Sequence, residues 1–282
     1  MRVVRPEEVA ETRATGRSIR RIAILAADRS VLKPVRRALG VTHGNSAEEA
    51  FNSVTFKGVT VITGVIPVGL ASAEAATEAL FSSCGDSIDH LFVVTTNSAF
   101  DLQLGVGDVV FPTVVMDSRD GVARYPVNPA ACCQGVIYSS DHCDFDDDYV
   151  ASLNDNGVSG VDSVAGAVAV VCDRYDCAYT VVSAVSDTMD LLAEPRDRFL
   201  SAGLPTPASA LRFALQRPQR IAYLIGITVG TRKAIAAATT AVMASIERLL
   251  QQARDREQAG DAGPAAVSSR RAFSSPRPAR AE

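Results

Sequence analysis

The sequence lacks an unbroken apolar run of the roughly 18 residues that a transmembrane helix needs. Its longest apolar stretches are interrupted by charges, for example by Glu74 and Glu78 or by Arg232 and Lys233. The opening "MRVVRPEEVAETRATGRSIRR" has no apolar core, so we do not expect a secretory signal. These absences predict a cytoplasmic protein without a membrane partner.

The chain has no excess of positive charge and no cysteine framework. Its formal net charge is −4, which gives no electrostatic reason to expect nucleic acid as a partner. We expect the six cysteines to be reduced thiols, and Cys172 to lie in the core. Cys132, Cys133, His142 and Cys143 lack paired Cys-x-x-Cys spacing, so no metal site is predicted.

Val- and Ile-rich runs bounded by polar residues indicate buried strands, and longer Ala-rich segments indicate helices. The predicted strands are "RIAILAA" (21–27), "GVTVITGV" (58–65), "HLFVVTT" (90–96), "GDVVFPTVVM" (107–116), "GVIYSSD" (135–141) and "AYTVVS" (178–183). The predicted helices are 30–39, 68–81, 161–175, 210–216 and 231–252.

This alternation predicts one α/β domain over residues 20–252 with a largely parallel central sheet. Residues 1–19 are polar and predict a flexible leader, and the Ala-, Ser-, Pro- and Arg-rich segment 253–282 predicts a disordered tail. Ligands of such sheets gather at the carboxyl ends of the strands. The polar and glycine residues predicted there are Gly64, Asn97, Ser98, Asp141 and Asp187.

Five segments in order resemble the superfamily of purine nucleoside phosphorylases and methylthioadenosine/S-adenosylhomocysteine nucleosidases. They are "ITGVIPVGLASA", "VVTTNSAFDLQLGVGDVVFPT", "GVIYSSDHC", "GVDSVAGAVAVVC" and "VVSAVSD", within about residues 20–190. The resemblance implies a three-layer α/β sandwich with a mixed sheet. It also implies cleavage of an N-glycosidic bond in a small-molecule substrate by a homo-oligomer (dimer, trimer or hexamer). Inorganic phosphate is the alternative co-substrate to water, and no other cofactor is implied.

The same resemblance implies that Asp187, in "AVSD", is the general acid that protonates the leaving base, with Ser186 orienting it. Burial at a strand end raises the pKa of a carboxyl group, which suits a proton donor near neutral pH. The alternative is that Asp187 only caps a turn or helix.

The family's Met-Glu pair, whose Glu holds the ribose hydroxyls, aligns with Ser163 and Val164. A valine cannot accept a hydrogen bond, so Asp162 is the substitute, with a helix N-cap as its alternative role. The remaining substrate-binding candidates implied by the resemblance are Thr96, Asn97, Ser98, Asp141 and Cys143.

The phosphate or water site implied by the resemblance lies after the first two predicted strands. Its candidates are Thr63, Gly64, Asp28 and Arg29, of which Arg29 best suits an anion. For Asp28 and Arg29, a solvated turn is the alternative.

Two other functions stay open from the sequence. In the first, the scaffold is repurposed: it binds or transforms a molecule without ribose, or it is catalytically silent. The loss of the family's Glu at Val164 favours this alternative. In the second, the chain is a serine or cysteine hydrolase, but the sequence lacks the Gly-x-Ser-x-Gly motif of such enzymes.

Overall fold

The structure, a computed structural model, describes residues 18–41, 51–84, 88–129, 135–141, 147–188 and 221–261. Its strands are β1 (Arg21–Ala26), β2 (Phe51–Phe56), β3 (Val59–Val65), β4 (His90–Ala99), β5 (Val109–Val110), β6 (Val114–Asp117), β7 (Ala123–Arg124), β8 (Val136–Ser139), β9 (Val158–Asp162) and β10 (Ala178–Thr188). Its helices are α1 (Arg29–Ala38), α2 (Leu70–Cys84), α3 (Asp147–Asp155), α4 (Ala165–Arg174) and α5 (Ile221–Asp261).

All ten strands form one mixed sheet, in the order β2-β3-β1-β4-β9-β8-β6-β7, with β10 beside β4 and β5 beside β10. The central pairs β1–β3, β1–β4 and β4–β10 are parallel, so these strands end at one edge of the sheet. β9 joins the end of β4 in antiparallel pairing at Ser98 and Ala99. The predicted α/β fold with a mixed sheet is therefore confirmed.

Helices cover both faces of the sheet and make it the middle of three layers. On one face, Leu25, Val93 and Val181 pack in a cluster with residues of α2 and α4. On the other face, Ile24 and Val182 pack with residues of α1 and α5. Because these strands are buried on both faces, their sequences are continuous apolar runs.

The prediction of one strand over 107–116 is wrong. The segment forms two short strands, β5 and β6, on either side of Phe111, Pro112 and Thr113. Proline has no N–H to donate to a strand ladder, so pairing is interrupted there. β5 pairs with β10 and β6 with β8, so the break carries the chain from one part of the sheet to another.

The helix predicted from residue 161 begins at Ala165, because Val161 and Asp162 complete β9. β2, β7 and β9 were not predicted from the apolar pattern. Helix α5 continues past the predicted boundary at residue 252 to Asp261, while the predicted helix 210–216 lies outside the described residues. No helix in the described part of the chain is long and apolar enough to span a membrane.

Candidate active site

The end of β10 carries a β-bulge at Ser186. β10 pairs in parallel with β4 so that Val185 lies opposite Asn97 and Asp187 opposite Ser98, which leaves Ser186 as the extra residue. In a regular strand, Asp187 would share the face of Val185, because side chains alternate with a period of two. The bulge instead turns Asp187 to the face of Ser98.

The carboxyl group of Asp187 accepts two hydrogen bonds from hydroxyl groups. Ser98 Oγ donates to Oδ2 at 2.7 Å, and Ser186 Oγ lies 2.6 Å from Oδ1. Burial raises the pKa of Asp187, and the hydrogen bonds from Ser186 and Ser98 partly offset this rise. The residue as a whole is half-buried.

The backbone around the bulge is held by the 104–108 loop and by helix α5. Gly107 N donates to Val185 O and Val185 N to Asp108 O, both at 2.8 Å. A Cβ atom at Gly230 of α5 would lie 2.4 Å from Ser186 O, so only glycine allows the helix this close. The sequence reasoning missed Gly230, although a glycine within an Ala-rich helical pattern is a signal of close packing.

Asn97 connects the three strands that meet at this edge. Its Nδ2 donates to Ser183 Oγ of β10 at 2.7 Å, and a Cβ atom at Gly160 of β9 would lie 2.7 Å from its Oδ1. Asn97 is 2% exposed, so its side chain is a buried contact between strands. Thr96 is half-buried, and strand alternation places it on the face of Ser98.

Asp162 lies at the end of β9 and is 6% exposed. Its carboxylate accepts hydrogen bonds from Ser139 Oγ, Val164 N, Ala165 N and the Thr95 side chain. An ionised carboxylate has about four acceptor sites, so these donors fill it. Burial raises the pKa of Asp162 to about 6, and the hydrogen bonds oppose the rise.

The N-cap residue of α4 is Val164 and not Asp162, but the Asp162 carboxylate accepts hydrogen bonds from Val164 N and Ala165 N at the start of this helix. Val164 has 0% exposure and packs in the cluster with α2 and α4, which removes its side chain from contact with solvent. Ser163 between them is half-buried. In this arrangement Asp162 holds the helix start and has no acceptor site left for a sugar hydroxyl.

Asp141 also caps a helix. It is exposed, and its Oδ1 accepts a hydrogen bond from Leu70 N at 2.7 Å, which satisfies a free N–H at the start of α2. Gly69 turns the chain into this helix with φ +105°, a backbone conformation that favours glycine. A carboxylate at a helix N-terminus is also favoured by the helix dipole.

Thr63 and Gly64 of β3 are in contact with other protein groups. Arg36 Nε donates to Thr63 Oγ1 at 2.9 Å, and Thr63 is 1% exposed. A Cβ atom at Gly64 would lie 2.6 Å from the Phe51 ring, so the glycine accommodates an aromatic side chain. The polar group that reaches Thr63 is thus Arg36, a residue that the sequence reasoning did not consider.

Asp28 is the N-cap of α1, where its side chain accepts a hydrogen bond from Ser30 N, and Arg29 is exposed in the first turn. Cys143 lies outside the described residues, as do Cys132, Cys133 and His142. In the ranges that are described, no group of three or more His, Cys, Asp or Glu residues is placed to hold a metal ion.

No family model and no curated protein matches the sequence. Solved structures do match. The futalosine hydrolase of Helicobacter pylori has a TM-score of 0.59 at 12% identity, over 83% of this chain and 98% of that one. The 5'-methylthioadenosine/S-adenosyl homocysteine nucleosidase of the same organism has a TM-score of 0.59 at 13% identity, over 82% and 99%.

The 5'-methylthioadenosine nucleosidase of Arabidopsis thaliana also has a TM-score of 0.59, at 16% identity, over 80% of this chain and 96% of that one. Each match covers nearly the whole of the solved domain. The order of strands and helices and these matches agree with the resemblance of the five sequence segments. The chain therefore has the fold of these solved nucleosidases and of the futalosine hydrolase.

Proposed function

We propose that this chain cleaves the N-glycosidic bond of a nucleoside or nucleoside-like compound, with Asp187 as the general acid. The observation that carries the proposal is the half-buried Asp187 carboxyl group, bound by Ser98 and Ser186 at the carboxyl end of β10. Matching solved structures are named as nucleosidases and as a futalosine hydrolase, which supports this reaction class.

The chemistry follows from what such a bond requires. A heterocyclic base leaves poorly as an anion, so a proton must reach one of its ring nitrogens as the bond breaks. Burial raises the pKa of Asp187, so the group holds its proton at higher pH than an exposed aspartate does. Asp187 gives this proton to the base, and the electron pair of the broken C–N bond stays on the base.

Water is the attacking group that we propose, with inorganic phosphate as the alternative. The reason is that the matching structures include nucleosidases and a futalosine hydrolase. The oxygen of water bonds to the sugar carbon as the C–N bond breaks, its surplus proton goes to solvent, and Asp187 regains its proton from solvent. No metal or organic cofactor enters this reaction. We also propose a homo-oligomer in the cytoplasm as its working form.

The second candidate is a repurposed scaffold that binds or transforms a small molecule without ribose, or is catalytically silent. Two observations favour it: the Asp162 carboxylate is filled by protein donors, and Val164 is buried in the core. Neither residue can hold a sugar diol in this arrangement. A substrate without a recognised diol is compatible with both candidates.

The test is incubation of the full chain with adenosine, inosine, guanosine, uridine, methylthioadenosine and futalosine, with and without phosphate. Chromatography then measures free base, free sugar and sugar 1-phosphate. Free base with free sugar supports hydrolysis, and a phosphate-dependent sugar 1-phosphate supports phosphorolysis. A ligand at about 100 times its dissociation constant stabilises the fold by about 2.7 kcal/mol. Absence of both cleavage and thermal stabilisation with every nucleoside would reject the first candidate.

A further inference from the structure

We propose that Ser98 is a positioning residue for Asp187, holding Oδ2 so that Oδ1 is the oxygen that gains and releases the proton. The inference rests on the proposed function, in which Asp187 is the general acid. It gives Ser98 a role different from the substrate contact that the sequence predicted.

The contact between Ser98 and Asp187 depends on the bulge at Ser186. Regular pairing would place Asp187 opposite Ala99, one residue further along β4 and on the other face of the sheet. The observed register places it opposite Ser98, whose Oγ lies 2.7 Å from Oδ2. A bulge interrupts the hydrogen bonds between paired strands and changes the direction of the side chains that follow it. Here it directs the Asp187 carboxyl group toward Ser98.

The two hydroxyl groups on Asp187 are not equivalent. Ser186 Oγ has two acceptors in reach, Asp187 Oδ1 at 2.6 Å and the backbone oxygen of Asn97 at 3.1 Å. Among the described residues, the hydrogen bond of Ser98 Oγ is to Asp187 Oδ2 alone. Ser186 can therefore redirect its hydrogen, whereas Ser98 has no second acceptor within that set.

This difference assigns the proton to one oxygen. When Asp187 is ionised, Ser186 and Ser98 each donate to one carboxylate oxygen. When a proton binds to Oδ1, Ser186 turns its O–H toward Asn97 O and leaves Oδ1–H free to donate. Transfer of that proton breaks the O–H bond and forms an N–H bond on the leaving base, and the Ser186 hydrogen returns to Oδ1. The bond from Ser98 is kept throughout.

The kinetic test compares Ser98→Ala with wild type, using whichever nucleoside the wild type cleaves. Loss of a donor to the ionised carboxylate raises the pKa of Asp187, so the alkaline limb of the kcat/KM profile moves up by about one pH unit. We expect kcat to fall about tenfold because the carboxyl group is less well oriented, with little change in KM. Ser98→Thr restores the hydroxyl group and is expected to return the limb toward wild type.

A second measurement does not depend on activity. Titration of the Asp187 side-chain carbon by 13C NMR, assigned with Asp187→Asn, gives its pKa in wild type, Ser98→Ala and Ser98→Thr. Ser53→Ala, an exposed serine on the edge strand β2, is the matched control and is expected to titrate like wild type. An unchanged pKa in Ser98→Ala overturns the role of Ser98, even if the enzyme is active. A raised pKa without any nucleoside cleavage rejects the proposed function and leaves the Ser98 contact established.

Discussion

Two aspartates lie near the ends of β9 and β10, which both pair with β4, and they differ in what surrounds them. Asp187 on β10 accepts from two serine hydroxyl groups and is half-buried. Asp162 on β9 is 6% exposed and also accepts from backbone N–H groups at the start of α4. Burial raises the pKa of both carboxyl groups.

The comparison shows that a raised pKa alone does not identify a catalytic acid. Both groups lose hydration, and this is the largest cause of the rise in each. What separates them is acceptor capacity: protein donors fill Asp162, whereas Asp187 accepts from two donors among the described residues. We therefore expect substitutions at Asp187 to change activity and substitutions at Asp162 to change stability.

The largest expected effect is on catalysis. Asp187→Asn keeps the shape of the side chain but has no acidic proton to give, so we expect nucleoside cleavage to fall at least about a hundredfold. Steady-state kinetics measure the loss, and a thermal melt close to wild type shows that the fold is kept. Full activity in this variant would remove Asp187 from the mechanism.

The matching substitution on the other aspartate acts on the fold. Asp162→Ala leaves the Ser139 hydroxyl group and the Ala165 N–H without their acceptor in a buried site, and we expect it to cost about 3 kcal/mol of unfolding free energy. Urea denaturation measures it. Asp187→Ala, which removes no helix cap, is the control and is expected to cost less. Equal losses in the two variants would contradict the division of roles.

Close packing of α5 against the bulge gives a third prediction. Gly230→Ala places a methyl group 2.4 Å from Ser186 O, so the helix or the bulge must move, at a cost of about 2 kcal/mol. Because the Asp187 geometry depends on that bulge, cleavage is expected to fall as well. Ala236→Gly, at an exposed position of the same helix, costs about 1 kcal/mol through helix propensity and leaves cleavage unchanged. Normal activity in Gly230→Ala would show that the bulge tolerates the shift.

The smallest effect between adjacent pH values is a gradual pH dependence of stability. The pKa of Asp162 is about 6 in the folded chain against 3.8 for an ordinary aspartate, so the folded state binds more protons between these values. Its contribution to stability is present below about pH 4 and is lost as the pH rises through 6, by at most about 1.4 kcal/mol per pH unit. Urea melts of wild type and Asp162→Asn from pH 4 to 7 measure it as the difference between the two slopes. Parallel slopes would show that Asp162 does not titrate in this range.

The sequence predicted most of the fold, because strands that are buried on both faces have continuous apolar sequences. It failed where pairing depends on a partner: at Pro112, which divides a predicted strand, and at β2, β7 and β9. Its prediction of Asp187 and Ser186 as catalytic residues came from the resemblance of five segments, of which "AVSD" is one, and it stays a prediction. It did not identify Ser139, Gly230 or Arg36, whose contacts join segments far apart in the chain.

The sequence by itself determined that the chain forms an α/β domain and that an aspartate follows a buried strand. Only the tertiary structure decided which of two strand-end carboxyl groups is filled by protein donors and which accepts from two serine hydroxyl groups on a half-buried residue. The physical reason is that acceptor saturation and strand register depend on neighbouring strands and helices. A single extra residue, Ser186, turns Asp187 to the other face of the sheet, and this depends on the pairing of β10 with β4.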